Sequence, residues 1–553
     1  MLWVQALHDN LWESGFIMNK VTILNVSIVL GLTLASTGTQ ASNEDQVKEK
    51  PAKNAPAQHV DPLKEALASS YTTNSALRAK LHELYAIDED VNLAFSEFRP
   101  SLSVIGDVGQ NAADHKATRK VTDVSIPNRD GDPDYVSGRI NKQTKSKNNL
   151  TKGTATLQLE QSLYKGGSTL ANLRAQENAA FAGQYGLLFV EQDTLQKAIT
   201  AYMDVIFQTS SVKSRETNVK FLTEQLDVVK SQVKFGEKAE TDTAVAESAL
   251  AKAEAELLTN MNELDDAKAN YLNIIGEKPG LLEYPPSLPK LPKTLNEVID
   301  VALKSNPKIL EAIYKAKKED LLIDARSGAL LPSLDLTASA SRNLNRDRLN
   351  SRSNEQNYNR AFANQFNSEK GVNKGRNNDA AVDLKLTVPL YGRGGADYAL
   401  TRRQAESAAA ARYELEQARK NALENATKAW DTLKTARANV IGYKKQLDAA
   451  EKARNGALVE VKAGARNFLD LVELQVQLIN AGISLQRARR DEVVAQYTLL
   501  AVMGKLTARD LGLPVTIYDV DGHLDKVRYK MIGFGDAPKI LEDKEDSGSI
   551  IKN

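Results

Sequence analysis

Two long segments of the chain space their apolar residues three and four positions apart. They cover residues 168–233 and 396–461, and neither contains a proline. This spacing predicts helices that pack along a coiled-coil seam, and a continuous helix of that length reaches about 100 Å at 1.5 Å per residue. Such a helix cannot be buried within one globule, so it must pack in a hairpin and against other copies of the chain. The seam of the first segment is predicted at Val219, Leu222, Leu226, Val229 and Val233.

Four shorter stretches alternate apolar and polar residues, namely 101–110, 154–163, 333–342 and 381–390. In the last of them Val382, Leu384 and Leu386 alternate with Asp383 and Lys385. A period of two predicts strands with one apolar face. Each stretch is about ten residues, which is the length that a tilted strand needs to cross an outer membrane.

The segments between these strands are polar. Residues 111–150 and 343–378 are rich in Asn, Lys, Arg, Asp and Ser, and are predicted to be exposed extracellular loops. Alternation over short stretches is a weak signal by itself, so the strands alone leave open an ordinary two-hairpin sheet on a soluble domain.

The chain is duplicated. One set of landmarks recurs at a single constant offset: Leu63, Asn74 and Pro100-Ser101-Leu102 match Leu295, Asn306 and Pro332-Ser333-Leu334. A second set recurs at a slightly smaller constant offset: Gly166-Gly167, Gly236, Asp242 and Gly276 match Gly394-Gly395, Gly464, Asp470 and Gly504. We therefore predict two structural repeats, 63–280 and 295–512, joined by a proline-rich linker at 281–294. Each repeat is predicted to have a helical segment (63–97 and 295–329), a strand, a polar loop, a second strand and a long helical hairpin.

The N-terminus predicts export. Lys20 precedes an apolar run at 21–34, and Thr39-Gln40-Ala41 places small residues where signal peptidase cuts. Residues 1–41 are thus interpreted as an upstream extension and a cleaved signal peptide, with Met18 as the start of translation. Residues 42–62 are a polar N-terminal segment and 513–553 a polar periplasmic tail. No later segment has 18 consecutive apolar residues, so no transmembrane helix is expected in the mature protein.

Composition excludes several classes of function. The net charge of +1 does not favour a nucleic-acid partner. The chain has no cysteine, and its five histidines are scattered without a metal-ligand spacing, so we expect no enzyme, metal site or cofactor. A periplasmic coiled-coil adaptor is the main alternative to a channel, but it would carry one hairpin between β-domains rather than two duplicated hairpins with strands.

Four membrane strands cannot close a barrel within one chain. An open edge in lipid leaves backbone groups without hydrogen-bond partners, so closure requires several chains. Oligomerisation is therefore required, while the number of chains stays open.

Three sequence stretches carry a resemblance to a known family: Leu163-Tyr164-Lys165-Gly166-Gly167, Leu390-Tyr391-Gly392-Arg393-Gly394-Gly395 and 464–473. With the signal peptide and the duplication, residues 60–512 resemble the TolC family of outer-membrane efflux and secretion channels. The resemblance implies a mixed, mainly α-helical fold and a homotrimer, with a twelve-stranded barrel in the outer membrane and a helical tunnel in the periplasm. It also implies docking to a periplasmic adaptor protein and to an inner-membrane pump of the ABC or RND type, for protein secretion or drug efflux.

The resemblance further implies a gate at the second hairpin. Asp470 and Glu473 match acidic positions that ring the closed periplasmic entrance, where six carboxylates from three chains would prefer cations. Arg466 matches a latch residue that ties this hairpin to Thr241 and Asp242 of the first hairpin. Two observations temper this interpretation: Arg466 and Asp470 could be a surface i, i+4 pair, and Val461 stands where the family has a latch tyrosine. The hairpin bends are expected at Gly236 and Gly464. The strands are expected to end at Gly166, Gly167, Gly394 and Gly395.

Overall fold

The computed structural model describes residues 61–126, 136–286, 291–357 and 365–533. The predicted signal peptide, the segment 42–60 and the end of the tail after residue 533 lie outside these described residues. The described part is mainly helical, with one four-stranded sheet. Its helices are α1 (Pro62–Thr73), α2 (Ser75–Ser96), α3 (Ser168–Lys234), α4 (Glu240–Ile275), α5 (Leu295–Ser305), α6 (Pro307–Ser327), α7 (Ala396–Lys462), α8 (Phe468–Val502) and α9 (Val520–Arg528).

The two long helices form as the hydrophobic spacing predicts. Helices α3 and α7 are each 67 residues long, about 100 Å, and each folds back into a shorter partner, α4 or α8. The predicted seam of α3 is buried at Leu222, Leu226 and Val229, and half-buried at Val219 and Val233. The 3-4 spacing therefore predicted this helix and its packing face correctly.

Both hairpins turn with the same backbone geometry. Gly236 and Gly464 have φ of 78° and 74°. Just after them, the amide of Glu237 donates to the carbonyl of Gln232 and the amide of Ala465 to that of Glu460, both at 2.9 Å. These bonds satisfy the last carbonyls of α3 and α7, and glycine supplies the left-handed residue that the motif needs. The duplication thus extends to individual hydrogen bonds.

The predicted helical segments 63–97 and 295–329 are each broken into two helices. Asn74 separates α1 from α2, and Asn306 separates α5 from α6, in both cases with extended backbone. The Asn74 side chain accepts hydrogen bonds from the amides of Ala76 and Leu77, so it caps the second helix. A helix-capping residue at the same place in each repeat explains the break.

The strands are much longer than predicted. They are β1 (Ser101–Ile126), β2 (Val136–Lys165), β3 (Ser333–Asn357) and β4 (Gln365–Thr387), paired antiparallel in the order β1-β2-β3-β4. The prediction that 111–150 and 343–378 are loops was therefore wrong: most of both segments continues the ladder, and β4 ends at Thr387, short of the predicted 390. A strand with polar residues on both faces shows no alternation of apolar and polar positions, so a hydrophobicity pattern does not detect it. Its pairing is maintained by backbone hydrogen bonds alone.

Part of the predicted polar tail is folded. Residues 513–533 follow the end of α8, include α9 and pack against α2. Leu513 is buried in the largest core cluster, beside Tyr71, Tyr202 and Tyr497. The tail therefore belongs to the core where the two repeats meet.

Helix α8 is the one described helix long and apolar enough to cross a membrane by length and composition. It packs along α7 and α3, and its buried residues include Leu471, Leu485 and Leu499. Its apolar side chains are thus already used in helix packing.

Candidate functional site

The lower sheet, near the helices, has one apolar and one polar face. Because paired residues share a face, the register builds apolar rows across all four strands. Val104 and Val382 are 78% and 74% exposed, although both are apolar. Exposed apolar side chains over this height are typical of a surface that contacts lipid. Two of the rows are Leu102, Leu159, Ala338 and Val382, then Val104, Leu157, Ala340 and Ala380.

The opposite face is polar and internally hydrogen-bonded. The Thr154 hydroxyl donates to Asn343 Oδ1 at 3.0 Å, and Asn343 Nδ2 donates to Asp379 Oδ2 at 3.0 Å. On β2 and β3 this polar face is mostly half-buried, whereas the other face is mostly exposed. The polar face is therefore the concave one, which suits the wall of a water-filled pore.

Both edges of the sheet are long. β1 and β4 are the edge strands, of 26 and 23 residues, and each pairs on one side only. Unpaired amides and carbonyls on such an edge are a template for another strand.

Glycines lie where the chain passes from sheet to helix. Gly166 and Gly167 connect β2 to α3 with φ of 60° and 80°, and Gly394 and Gly395 precede α7 with φ of 61° and 84°. A Cβ at Gly166 would lie 2.2 Å from the carbonyl oxygen of Gly328. This position needs glycine both for its backbone angle and for that close approach.

The two helical hairpins pack together at their turns. Leu222, Leu226 and Val229 of α3 share a buried cluster with Phe468 and Leu471 of α8. The Lys238 ammonium lies 5.2 Å from the centre of the Phe468 ring, a cation–π contact between the two turns. The second hairpin is therefore held against the first by apolar contacts and by charge.

The predicted gate residues lie at this end of the hairpins. Asp470 is in the first turn of α8, and Glu473 follows three residues later with an exposed side chain. Thr241 and Asp242 are in the first turn of α4. The Asp242 carboxylate there interacts favourably with the positive end of the helix dipole. Position 461 is Val461, which packs half-buried against the apolar cluster instead of offering a hydroxyl.

Within one chain Arg466 bonds to its own hairpin. Its Nη1 lies 3.1 Å from Glu460 Oε2 and its Nε 3.3 Å from Asp470 Oδ2. Across the part of the chain that the structure describes, no hydrogen bond or ion pair joins Arg466 to Thr241 or Asp242. The surface i, i+4 pair of Arg466 and Asp470 is thus present. The bond from Arg466 to the first hairpin stays a prediction about the assembled protein.

A buried polar contact between the hairpins was missed by sequence reasoning. Gln475 Nε2 donates to Asn218 Oδ1 at 3.1 Å, linking α8 to α3. Asn218 lies four residues before Leu222 on the apolar seam of α3. The sequence offered one signal of this contact, which is the single side-chain amide of Asn218 within a hydrophobic seam. Such residues usually pair across a helix interface.

The folded tail is fastened to α1 and α2 by aromatic and polar contacts. Tyr518 stacks on Tyr71 with ring centres 4.9 Å apart. His523 Nδ1 lies 2.8 Å from Asp88 Oδ2. The His523 ring also stacks on the Tyr85 ring, with ring centres 3.7 Å apart. Burial raises the pKa of Asp88, while the bond to His523 acts in the opposite direction.

Another buried carboxylate holds the turn after α8. Glu191 of α3 accepts a hydrogen bond from the Ala508 amide at 2.7 Å and is 9% exposed. Burial raises its pKa, chiefly by desolvation of the charged form, and this outweighs the Ala508 bond. Among the described residues, no group of three or more His, Asp and Glu side chains is placed to hold a metal ion.

A sheet with one lipid-compatible face, joined to two helical hairpins about 50–100 Å long, defines a subunit of an outer-membrane channel. The sequence model of the outer membrane efflux protein family matches residues 66–277 and again 298–505. The starts of the two matches are separated by the larger offset of the duplication and their ends by the smaller one. The chain belongs to the outer membrane efflux protein family, and its place is the outer membrane.

Individual relatives agree with this assignment. The chain is 30% identical to the outer membrane efflux protein BepC of Brucella suis over 85% of this chain and 91% of BepC. It is 24% identical to the outer membrane protein TolC of Escherichia coli over 65% of this chain and 70% of TolC. The crystal structure of CusC superposes with a TM-score of 0.61 at 15% identity, covering 82% of this chain and 95% of that one. The predicted TolC-like fold is confirmed, and the alternative of a periplasmic adaptor is set aside.

Proposed function

We propose that the protein is the passive outer-membrane conduit of a tripartite export system, open to water through a barrel that several chains share. The observation that carries this proposal is the sheet with an apolar convex face, a polar concave face and two unpaired edges. In lipid those edges must pair, because each unsatisfied backbone group costs several kcal/mol there. Pairing β1 of one chain with β4 of the next satisfies both edges.

Three chains then give a barrel of twelve strands, which is wide enough for an aqueous pore when the concave face is polar. The homotrimer is supported by the TolC-like fold of the chain and by its long unburied helices. Tyr413 and Ile441 on α7 are 73% and 61% exposed in the single chain. Packing against neighbouring copies would cover such side chains.

The gate lies at the turn of the second hairpin in this proposal. Asp470 and Glu473 from three chains would form a ring of carboxylates that attracts cations. In this proposal Arg466 holds the ring closed by exchanging Glu460 or Asp470 for Thr241 and Asp242 of a first hairpin in the assembled protein. This exchange costs little, because exposed ion pairs such as Arg466–Glu460 contribute about 0–1 kcal/mol.

The partners in this proposal are a periplasmic adaptor protein and an inner-membrane pump of the ABC or RND type. The relative BepC is named for efflux and the relative AprF of Pseudomonas aeruginosa for secretion of a protease, so both kinds of cargo stay open in this proposal. In this proposal the channel is passive, and the pump and the adaptor select the substrate.

Two measurements on the purified mature protein test the proposal. Light scattering in detergent should give a mass near three times that of the chain, and planar bilayers should show cation-preferring conductance. A monodisperse monomer would rule out the shared barrel. A trimer without any conductance under strong voltage would contradict the conduit.

A further inference from the structure

The outward face of the sheet changes character above its apolar rows. Beyond the row of Val104, the next six rows on the same face contain ten basic residues and one acid, Asp114. All eleven side chains are exposed. The basic residues are Arg342, Arg376, Arg346, Lys374, Arg348, Lys147, Lys370, Lys116, Lys145 and Arg352. We refer to these ten residues as the basic belt.

The concave face does not share this charge. In the intervening rows it carries the acids Asp107, Asp347 and Glu369, and a single lysine, Lys152. The segregation is a consequence of strand alternation, because a basic residue at every second position always points to the same side. A surface that merely needed solubility would mix both signs on both faces.

Within the belt, residues of like charge lie opposite one another on neighbouring strands. Arg346 of β3 pairs directly with Lys374 of β4, and like charges placed opposite one another destabilise a sheet. Among the described residues of the belt, the ion pair present is Lys147 with Asp114 at 4.0 Å. The other nine basic residues therefore have no ion-pair partner in the part of the chain that the structure describes, which indicates an external anion.

The height of the belt above the apolar rows indicates which kind of anion it binds. It begins one row above Val104, and Arg346 with Lys374 lie six residues above Val104, about 20 Å along the strand at 3.4 Å per residue. The apolar rows below occupy the hydrocarbon layer, so the belt lies at the level of lipid headgroups and beyond. Arginine binds phosphate through two parallel hydrogen bonds, and arginines make up half of this belt.

We propose that the basic belt binds the phosphate groups of a phosphorylated glycolipid of the outer leaflet, such as lipid A. The lipid contacts the convex surface of the barrel with its acyl chains on the apolar rows and its phosphates between β3 and β4. This inference rests on the proposed barrel, whose apolar convex face contacts lipid, and it does not depend on the gate or on the pump.

The test measures binding of fluorescent lipid A to the full mature protein in detergent. In Arg346→Gln with Lys374→Gln, we expect the dissociation constant to rise about tenfold or more, because two charge-assisted contacts are lost. The matched control is Arg119→Gln with Lys152→Gln, which removes one arginine and one lysine from the concave face of β1 and β2. The control should change the affinity less than about twofold.

Three results would overturn the proposal. Equal weakening in both double variants would show that only net charge matters. Equal affinity for lipid A from which the phosphates have been removed would exclude phosphate recognition. Displacement of lipid A by millimolar inorganic phosphate alone would indicate a site for free anions. Thermal unfolding and the oligomeric mass of each variant establish that the fold is intact, and a variant that fails this check is replaced by Arg348→Gln with Lys370→Gln on the same face.

Discussion

Gln475 of α8 donates a hydrogen bond to Asn218 of α3 over 3.1 Å, across the interface between the two long hairpins. The two residues are 1% and 2% exposed, so the bond is shielded from water. The second amide atom, Gln475 Oε1, has no partner among the described residues. A buried amide pair of this kind tolerates only one alignment of the two helices, because any shift leaves both amides unpaired.

We expect Gln475→Leu to loosen the contact between the hairpins. It leaves Asn218 buried without its partner, which costs about 1–3 kcal/mol. The thermal midpoint should fall and the bilayer conductance should rise, because the second hairpin separates from the first more easily. Gln477→Leu, an exposed position on the same helix, is the control and should change neither.

The double variant Asn218→Leu with Gln475→Leu distinguishes a lost hydrogen bond from lost packing. Replacing both partners by apolar residues leaves no unpaired group and is expected to be nearly neutral for stability. If the double variant is as unstable as Gln475→Leu, the amide bond is not the cause.

A second prediction concerns Arg466. Arg466→Ser should raise conductance if the guanidinium ties neighbouring chains together, with a bias of about 1.5–3 kcal/mol for a shielded bond to Asp242. Glu460→Gln removes the charge of one of the two partners that Arg466 has within its own hairpin, so it should not raise conductance. Equal conductance in Arg466→Ser and the wild type would show that Arg466 is a solvated surface charge.

The acidic pair at the same turn makes a third prediction. Asp470→Ala with Glu473→Ala should reduce the preference for cations and weaken block by multivalent cations, because these variants lack the proposed ring of carboxylates. The reversal potential in a salt gradient measures this preference. Glu460→Ala is the control, since it removes an acid from the other helix of the hairpin. Unchanged selectivity in the double variant would place the constriction elsewhere.

The sequence predicted the parts of this fold whose physical signal is periodic. The 3-4 spacing located α3 and α7 to within a residue at each end, and the repeat offsets located Gly236 and Gly464 as matching turns. Alternation found the apolar end of each strand. It could not find the polar continuation from residue 111 to Ile126, because a strand that is polar on both faces has no hydrophobic period.

Candidate site residues were predicted less completely, because contacts between distant segments leave little trace in a sequence. Asn218 and Gln475 are 257 positions apart, and Asp88 and His523 are 435 apart. In the proposed assembly the contacts of Arg466 depend on neighbouring chains, which one sequence does not place. The basic belt becomes visible only when the register assigns every second residue to one face.

The folded tail gives a fourth prediction. His523→Ala removes the partner of Asp88, a carboxylate with no exposed surface, and should destabilise the protein by about 1.5–3 kcal/mol. Adding Asp88→Asn should restore part of this loss, since the buried charge is then absent. Lys526→Ala, an exposed change on α9, is the control for thermal unfolding. A single variant as stable as the wild type would show that the tail is held by Tyr518 and Tyr71 alone.

The last prediction concerns the pH dependence of stability at Glu191. Burial raises the pKa of this carboxyl above its value in the unfolded chain, with Asp510 acting in the same direction and the Ala508 amide and Arg509 against it. The folded protein therefore holds the proton more tightly than the unfolded chain does. This contribution to stability is present at low pH and is lost as the pH rises through the raised pKa. Glu191→Gln keeps an oxygen for the Ala508 amide but carries no charge, so it should be more stable than the wild type above that pKa, on the order of 1 kcal/mol.

The difference between the two thermal midpoints should consequently be small near pH 4 and should grow towards pH 8. Glu224→Gln, at an exposed position on the same helix, controls for the change of net charge and should follow the wild type at every pH. A constant difference across the pH range would mean that Glu191 has the same pKa in both states. A less stable Glu191→Gln at pH 8 would mean that the ionised carboxylate strengthens the bond to Ala508 by more than its burial costs.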